Sequence, residues 1–158
     1  MKKSVNLKII STQYSEGLKP SGEAYVRELE KEDSVEIFTE GTMYERNNTW
    51  YLSYEESEEA GLEDTRTVIK LTDKKIHIKR FARTESEEGT DMLLEPGILN
   101  ITRYQIPMMQ SVDLEIYTNK YENGLDEKGY GKIEVDYRIK FDKMFTRRNV
   151  LEIEVMPS

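Results

Sequence analysis

A single histidine, His77, limits nucleophilic chemistry in this 158-residue chain. Any Ser-His-Asp machinery would have to use it. Ile76 and Ile78 flank His77, whereas Lys75 and Lys79 share its parity. Period-two alternation therefore predicts a solvated His77 on the outer face of a strand, among cations. The chain has no cysteine, which excludes disulfides, iron–sulfur clusters, thiolate zinc sites and cysteine nucleophiles. Carboxylates cluster at Glu55, Glu56, Glu58, Glu59, Glu63 and Asp64, and again at Glu85, Glu87, Glu88 and Asp91. Oxygen ligands suit Ca²⁺ or Mg²⁺, but the alternating Asp/Asn pattern of a calcium loop is missing. No spacing selects a carboxylate pair for glycoside hydrolysis. Solvated loops are the simpler reading. No catalytic residue, metal site or cofactor is expected, and the chain is not expected to be an enzyme.

Arg80 is more informative. It continues the even positions of Ile76 and Ile78, so it should face inward at a strand end. An inward guanidinium needs a partner, because an unpaired buried charge is costly. Glu56 shares parity with Trp50, Leu52 and Tyr54, so an Arg80–Glu56 pair at one barrel mouth is expected. The blander alternative is that Arg80 snorkels to the rim and closes the core. The functional alternative is a bidentate grip on a ligand carboxylate. Tyr54, Tyr104 and Tyr137 would then supply polar handles on an apolar wall, unless their hydroxyls bond the backbone.

The elements that must position these residues read as strands. Ile133, Val135, Tyr137, Ile139 and Phe141 alternate with charged residues, as do Leu151, Ile153 and Val155. Val5, Leu7 and Ile9 repeat the pattern, and so do Val112, Leu114 and Ile116. Further runs are Val35, Ile37, Thr39, Gly41 and Met43; Trp50, Leu52 and Tyr54; and Thr67, Ile69 and Leu71. Gly41 suggests a bulge or a sharp bend. Turns are expected at Asn47-Asn48, Thr72-Asp73-Lys74, Pro96-Gly97 and Asn123-Gly124, with Pro107 interrupting a further pair. Tyr25, Val26 and Leu29 stand at helical spacing, so residues 23–31 read either as a short helix or as a polar connecting loop. The sum is an all-β, single-domain chain over 1–158, an antiparallel up-and-down meander of about eight to ten strands closing into a barrel.

Composition agrees. The net charge of −8 argues against general nucleic-acid binding. The strip Lys140, Lys143, Arg147 and Arg148 reads as a solvated strand face and hairpin tip. The 37% hydrophobic content suits strands with one wet face. Residues 5–10 lack the apolar run of a signal peptide, and no stretch is long enough for a membrane span. A cytoplasmic protein with no membrane partner is expected.

Gly41, Tyr44, Tyr51-Leu52-Ser53-Tyr54-Glu55-Glu56, Thr65-Arg66-Thr67-Val68-Ile69-Lys70 and Arg80 follow one another along the chain. Met92, Tyr104, Pro107, Ile116-Tyr117-Thr118, Gly131 to Tyr137, Asn149, Leu151 and Ile153 continue the series. On these residues the chain resembles a family of uncharacterised bacterial proteins typified by YwiB, which implies a calycin-like, lipocalin-type β-barrel. Ala82 and Met109 stand where this family leads one to expect glycines. The resemblance implies a fold and supplies no activity. The inner Arg-x-Tyr carboxylate grip of fatty-acid carriers and the lipocalin Gly-x-Trp are both missing from the chain. The leading expectation is a non-enzymatic barrel that binds a small, partly apolar ligand, an anion among the options, at the mouth near Arg80. The alternative is a filled structural or interaction module that forms a homodimer through Tyr117, Phe38 and Tyr44. A carboxylate-dependent hydrolase using Glu55, Glu56 and Glu63 is the distant third.

Overall fold

A computed structural model describes residues 2–21, 24–55, 65–82, 91–104, 112–141 and 145–158. They form ten strands: β1 (Lys3–Ser21), β2 (Ala24–Arg46), β3 (Thr49–Glu55), β4 (Thr65–Leu71), β5 (Ile76–Ala82), β6 (Asp91–Leu94), β7 (Leu99–Tyr104), β8 (Val112–Asn123), β9 (Gly131–Phe141) and β10 (Phe145–Pro157). All lie in one sheet of order β6-β5-β4-β3-β2-β1-β10-β9-β8-β7. Every pairing between neighbouring strands is antiparallel. The first and last strands meet mid-sheet, which leaves β6 and β7 as the two edges.

The sheet curls until those edges nearly touch. No ladder joins them among the described residues. Instead Asn100 Nδ2 donates to the Leu93 carbonyl at 2.9 Å and Thr102 Oγ1 donates to the Asp91 carbonyl at 3.0 Å. Just past β6, a single parallel bridge joins Pro96 to Thr118 on β8. Side chains thus close the barrel where backbone pairing ends, and edge N–H and C=O groups are partly covered.

Residues 24–31 are strand, neither a helix nor a connecting loop. They pair with Ser21 back to Tyr14 in the long β1–β2 hairpin. Three apolar residues in a charged background give a helix little tertiary support, whereas a paired ribbon satisfies backbone groups through its ladder. Gly41 is not a bulge either: the ladder with β1 runs through it unbroken at Val5, and on the other side it pairs with Tyr54 at the end of the β3 ladder. Its role is close approach, since a Cβ there would lie 2.7 Å from the Ser53 carbonyl oxygen. The true irregularities are elsewhere, between Gln13 and Tyr14 opposite β2, and between Thr118 and Lys120 in β8.

The predicted turns at Asn47-Asn48 and Thr72-Asp73-Lys74 form as expected. Asn47 and Asn48 both adopt positive φ, 52° and 60°, as a two-residue hairpin between twisted strands requires. Thr72 N–H donates to the Lys75 carbonyl at 3.0 Å. The core fills one end of the barrel with Val5, Leu7, Met43, Leu52, Leu71, Ile76, Ile133 and Val155, all buried. Trp50, Tyr121, Leu125 and Tyr130 pack against it, and the Tyr121 hydroxyl pins the β4–β5 turn by donating to the Thr72 carbonyl at 2.7 Å. The described residues include no helix long and apolar enough to cross a membrane.

Candidate functional site

Inward-facing residues change character along the barrel. On β1, Val5, Leu7 and Ile9 give way to Ser11 and Gln13. On β5, Ile76 and Ile78 give way to Arg80; on β10, Val155 and Ile153 lead to Leu151 and Asn149. One end is therefore filled and apolar, and the other is polar. Between them lies a cavity of about 320 Å³. This is at the small end of the roughly 300–1,000 Å³ typical of ligand sites.

Its walls divide by chemistry. Ile9, Ile37, Ile69, Ile78 and Leu151 form an apolar floor and sides. Arg80, Tyr54, Tyr137, Ser11, Gln13 and Asp33 supply the polar groups. Two cross-strand rows carry them. Tyr54 pairs with Thr67, which pairs with Arg80. On the facing wall, Asp33 pairs with Gln13, which pairs with Asn149, which pairs with Tyr137. Tyr54 and Tyr137 are buried, as is Thr67 between Tyr54 and Arg80. Burial pushes the Tyr137 phenol up from its ordinary pKa, and the positive charge of Arg80 works against that rise.

Arg80, Tyr54 and Tyr137 thus come together as their parity predicts. Glu56 lies outside the described residues. Tyr104 is placed only by its backbone, paired with Val112 at the β7–β8 edge. Ser11, Gln13 and Asp33 are the lining residues that the sequence reading does not single out. The alternation of Val5, Leu7 and Ile9 extends directly to Ser11 and Gln13, and that of Ile37 and Val35 extends to Asp33.

Two surface expectations need revision. His77 keeps its outer face but is only partly exposed, and its Nε2 contacts the Asp91 carboxylate on β6. Strand β6 supplies this anion from a distant part of the sequence. Arg148 is not simply solvated: it clamps Asp136, with Nε donating to Oδ1 at 2.9 Å and a terminal nitrogen donating to Oδ2. Asn119 adds a donor to the same carboxylate at 3.3 Å. Burial, the largest single influence, would raise the Asp136 pKa. The Arg148 and Asn119 hydrogen bonds and the charges of Arg148 and Arg138 outweigh it, so the carboxyl is held below its ordinary value. Phe38 and Tyr117 are exposed but sit on β2 and β8, four places apart in the strand order, and Tyr44 stacks on Tyr51 at 4.8 Å. No group of His, Asp and Glu suited to a metal ion occurs among the described residues.

Comparison with known proteins accords with this architecture. The crystal structure of the YwiB protein from Bacillus subtilis superposes with a TM-score of 0.63, covering 97% of this chain and 92% of that one at 17% identity. At that identity the likeness establishes the fold. No curated protein matches the chain. A family model described as "Domain of unknown function (DUF1934)" matches residues 23–153. The chain accordingly belongs to the DUF1934 family, a YwiB-like β-barrel domain of unknown function.

Proposed function

We propose that this barrel is a non-enzymatic binding protein whose cavity takes a small, partly apolar anion. The observation that carries this reading is the placement of Arg80 on the wall of the 320 Å³ cavity, beside an aliphatic floor and sides. A carboxylate at Arg80 meets a planar, permanently charged fork that favours bidentate contact. Its alkyl part would lie on Ile9, Ile37, Ile69 and Leu151, and each buried methylene contributes roughly 0.8 kcal/mol. The Tyr54 and Tyr137 hydroxyls offer further donors beside the carboxylate.

The test is isothermal titration with octanoate. Binding is expected in the parent protein and a loss of about tenfold or more in Arg80→Met, because a charge-assisted hydrogen bond contributes roughly 1.5–3 kcal/mol. Equal affinity in both proteins would overturn the role of Arg80. A second reading, self-association, is favoured by one feature: Leu99, Ile101 and Tyr117 are exposed close together at the β7 edge. A sedimentation measurement that gives a monomer at high concentration would remove it.

A further inference from the structure

The cavity carries an anion as well as a cation. Asp33 lines the same space as Arg80. Its place is set by an irregularity in β2: Gln13 pairs with Asp33 and Tyr14 with Lys31, so Glu32 is an extra residue in the strand beside it. Such bulges re-aim side chains and recur next to binding sites. The Ser34 N–H donates to Asp33 Oδ1 at 2.9 Å, which orients the carboxylate through that oxygen.

Asp33 and Arg80 are held apart. Strand β2 is three places from β5 in the sheet. The row Arg80–Thr67–Tyr54 meets β2 at Gly41, eight residues from Asp33, so the two groups are offset along the strands as well as across them. Ile37, Ile69 and Ile78 line the same cavity as these two charged groups. One cation, one anion and an apolar wall in one cavity match a particular ligand shape.

Resting on the reading that the cavity binds a small anion at Arg80, we propose that its ligand class is an elongated zwitterion: carboxylate at Arg80, ammonium at Asp33, and an apolar chain between them. A lone fatty acid would leave Asp33 unused, and a dicarboxylate would set like charges against each other there.

The test compares three chains of equal length, octanoate, 8-aminooctanoate and octanedioate, by isothermal titration at low ionic strength, where exposed charges act most strongly. Asp33 is exposed, so its contribution is modest: 8-aminooctanoate should bind about threefold tighter than octanoate, and octanedioate weaker. Both differences should vanish in Asp33→Asn, with far-UV dichroism showing an intact barrel. Equal binding of all three ligands by the parent protein overturns the zwitterion assignment and leaves the anion reading standing. Differences that persist in Asp33→Asn also overturn it. Failure of all three to bind overturns the anion reading itself.

Discussion

Single side chains divide between those that hold the barrel and those that face its cavity. Asp136 belongs to the first group. Its carboxylate sits nearly buried on the outer face, gripped by Arg148 and Asn119. Asp136→Asn should cost about 2 kcal/mol in urea unfolding, since it removes the charge that Arg148 grips. The pH dependence follows from the lowered folded-state pKa. The contribution is fully present above the ordinary carboxylate value near 4 and is lost as pH falls through the folded-state value. The stability gap between parent and variant should therefore be constant from pH 7 to about 5 and shrink below about 4. A gap independent of pH would contradict the assignment. The residues of the second group are legible where alternation is clean. Arg80 follows Ile76 and Ile78, and Tyr137 follows Ile133 and Val135. Asp33 is harder to see, because it lies in a run of charged residues and just beside an extra residue. The Asp91 partner of His77 is invisible for another reason: it depends on which strand lies next to β5, and alternation says nothing of neighbours.

At the scale of elements, turns and strand faces are readable because they rest on local chemistry. Two asparagines at 47 and 48 tolerate the left-handed backbone that the β2–β3 hairpin imposes. Residues 24–31 mislead because their apolar spacing is local and the pairing that overrides it is not. The β8–β9 loop shows how tightly the filled end is built. Asp126 Oδ1 accepts from the Lys128 and Tyr130 N–H groups at 2.8 and 3.0 Å. The Tyr130 hydrogen bond is the main reason the Asp126 carboxyl lies below its ordinary pKa. Gly129 sits inside this loop with φ of +85°, and a Cβ there would come within 2.9 Å of the Met43 sulfur and the Trp50 ring. Gly129→Ala adds a left-handed backbone penalty of roughly 1–2 kcal/mol to overpacking of roughly 1–3 kcal/mol. A loss of about 3 kcal/mol in chemical unfolding is expected, whereas a change below about 0.5 kcal/mol would show that the loop yields freely.

The whole molecule is a sheet wrapped on itself and stitched rather than laddered at one seam. Alternation predicts the number and faces of the strands, but the meeting of β1 with β10 in mid-sheet depends on long-range contacts, and the seam between the consecutive strands β6 and β7 depends on side-chain bonds that alternation does not show. The seam rests on few bonds among the described residues, notably those of Asn100 and Thr102 to β6 carbonyls. Amide hydrogen exchange should therefore be fastest, within the paired strands, at 91–94 and 99–104, and slowest in β1, β9 and β10. Asn100→Leu should speed exchange at the seam and cost about 1 kcal/mol. Uniform protection across all ten strands would contradict this. The seam and the filled end leave the polar end as the part of the interior fit to receive a ligand, and the proposed anion site there can be read directly by nuclear magnetic resonance. A nitrogen–proton correlation spectrum of the labelled protein, titrated with octanoate, should shift the Arg80 Nε–H signal and the amides of Ser11, Ile37 and Leu151. The amides of Leu52, Leu71 and Ile133 at the filled end should stay in place. An unmoved Arg80 signal at saturating octanoate, or shifts confined to the outer surface, would contradict the account.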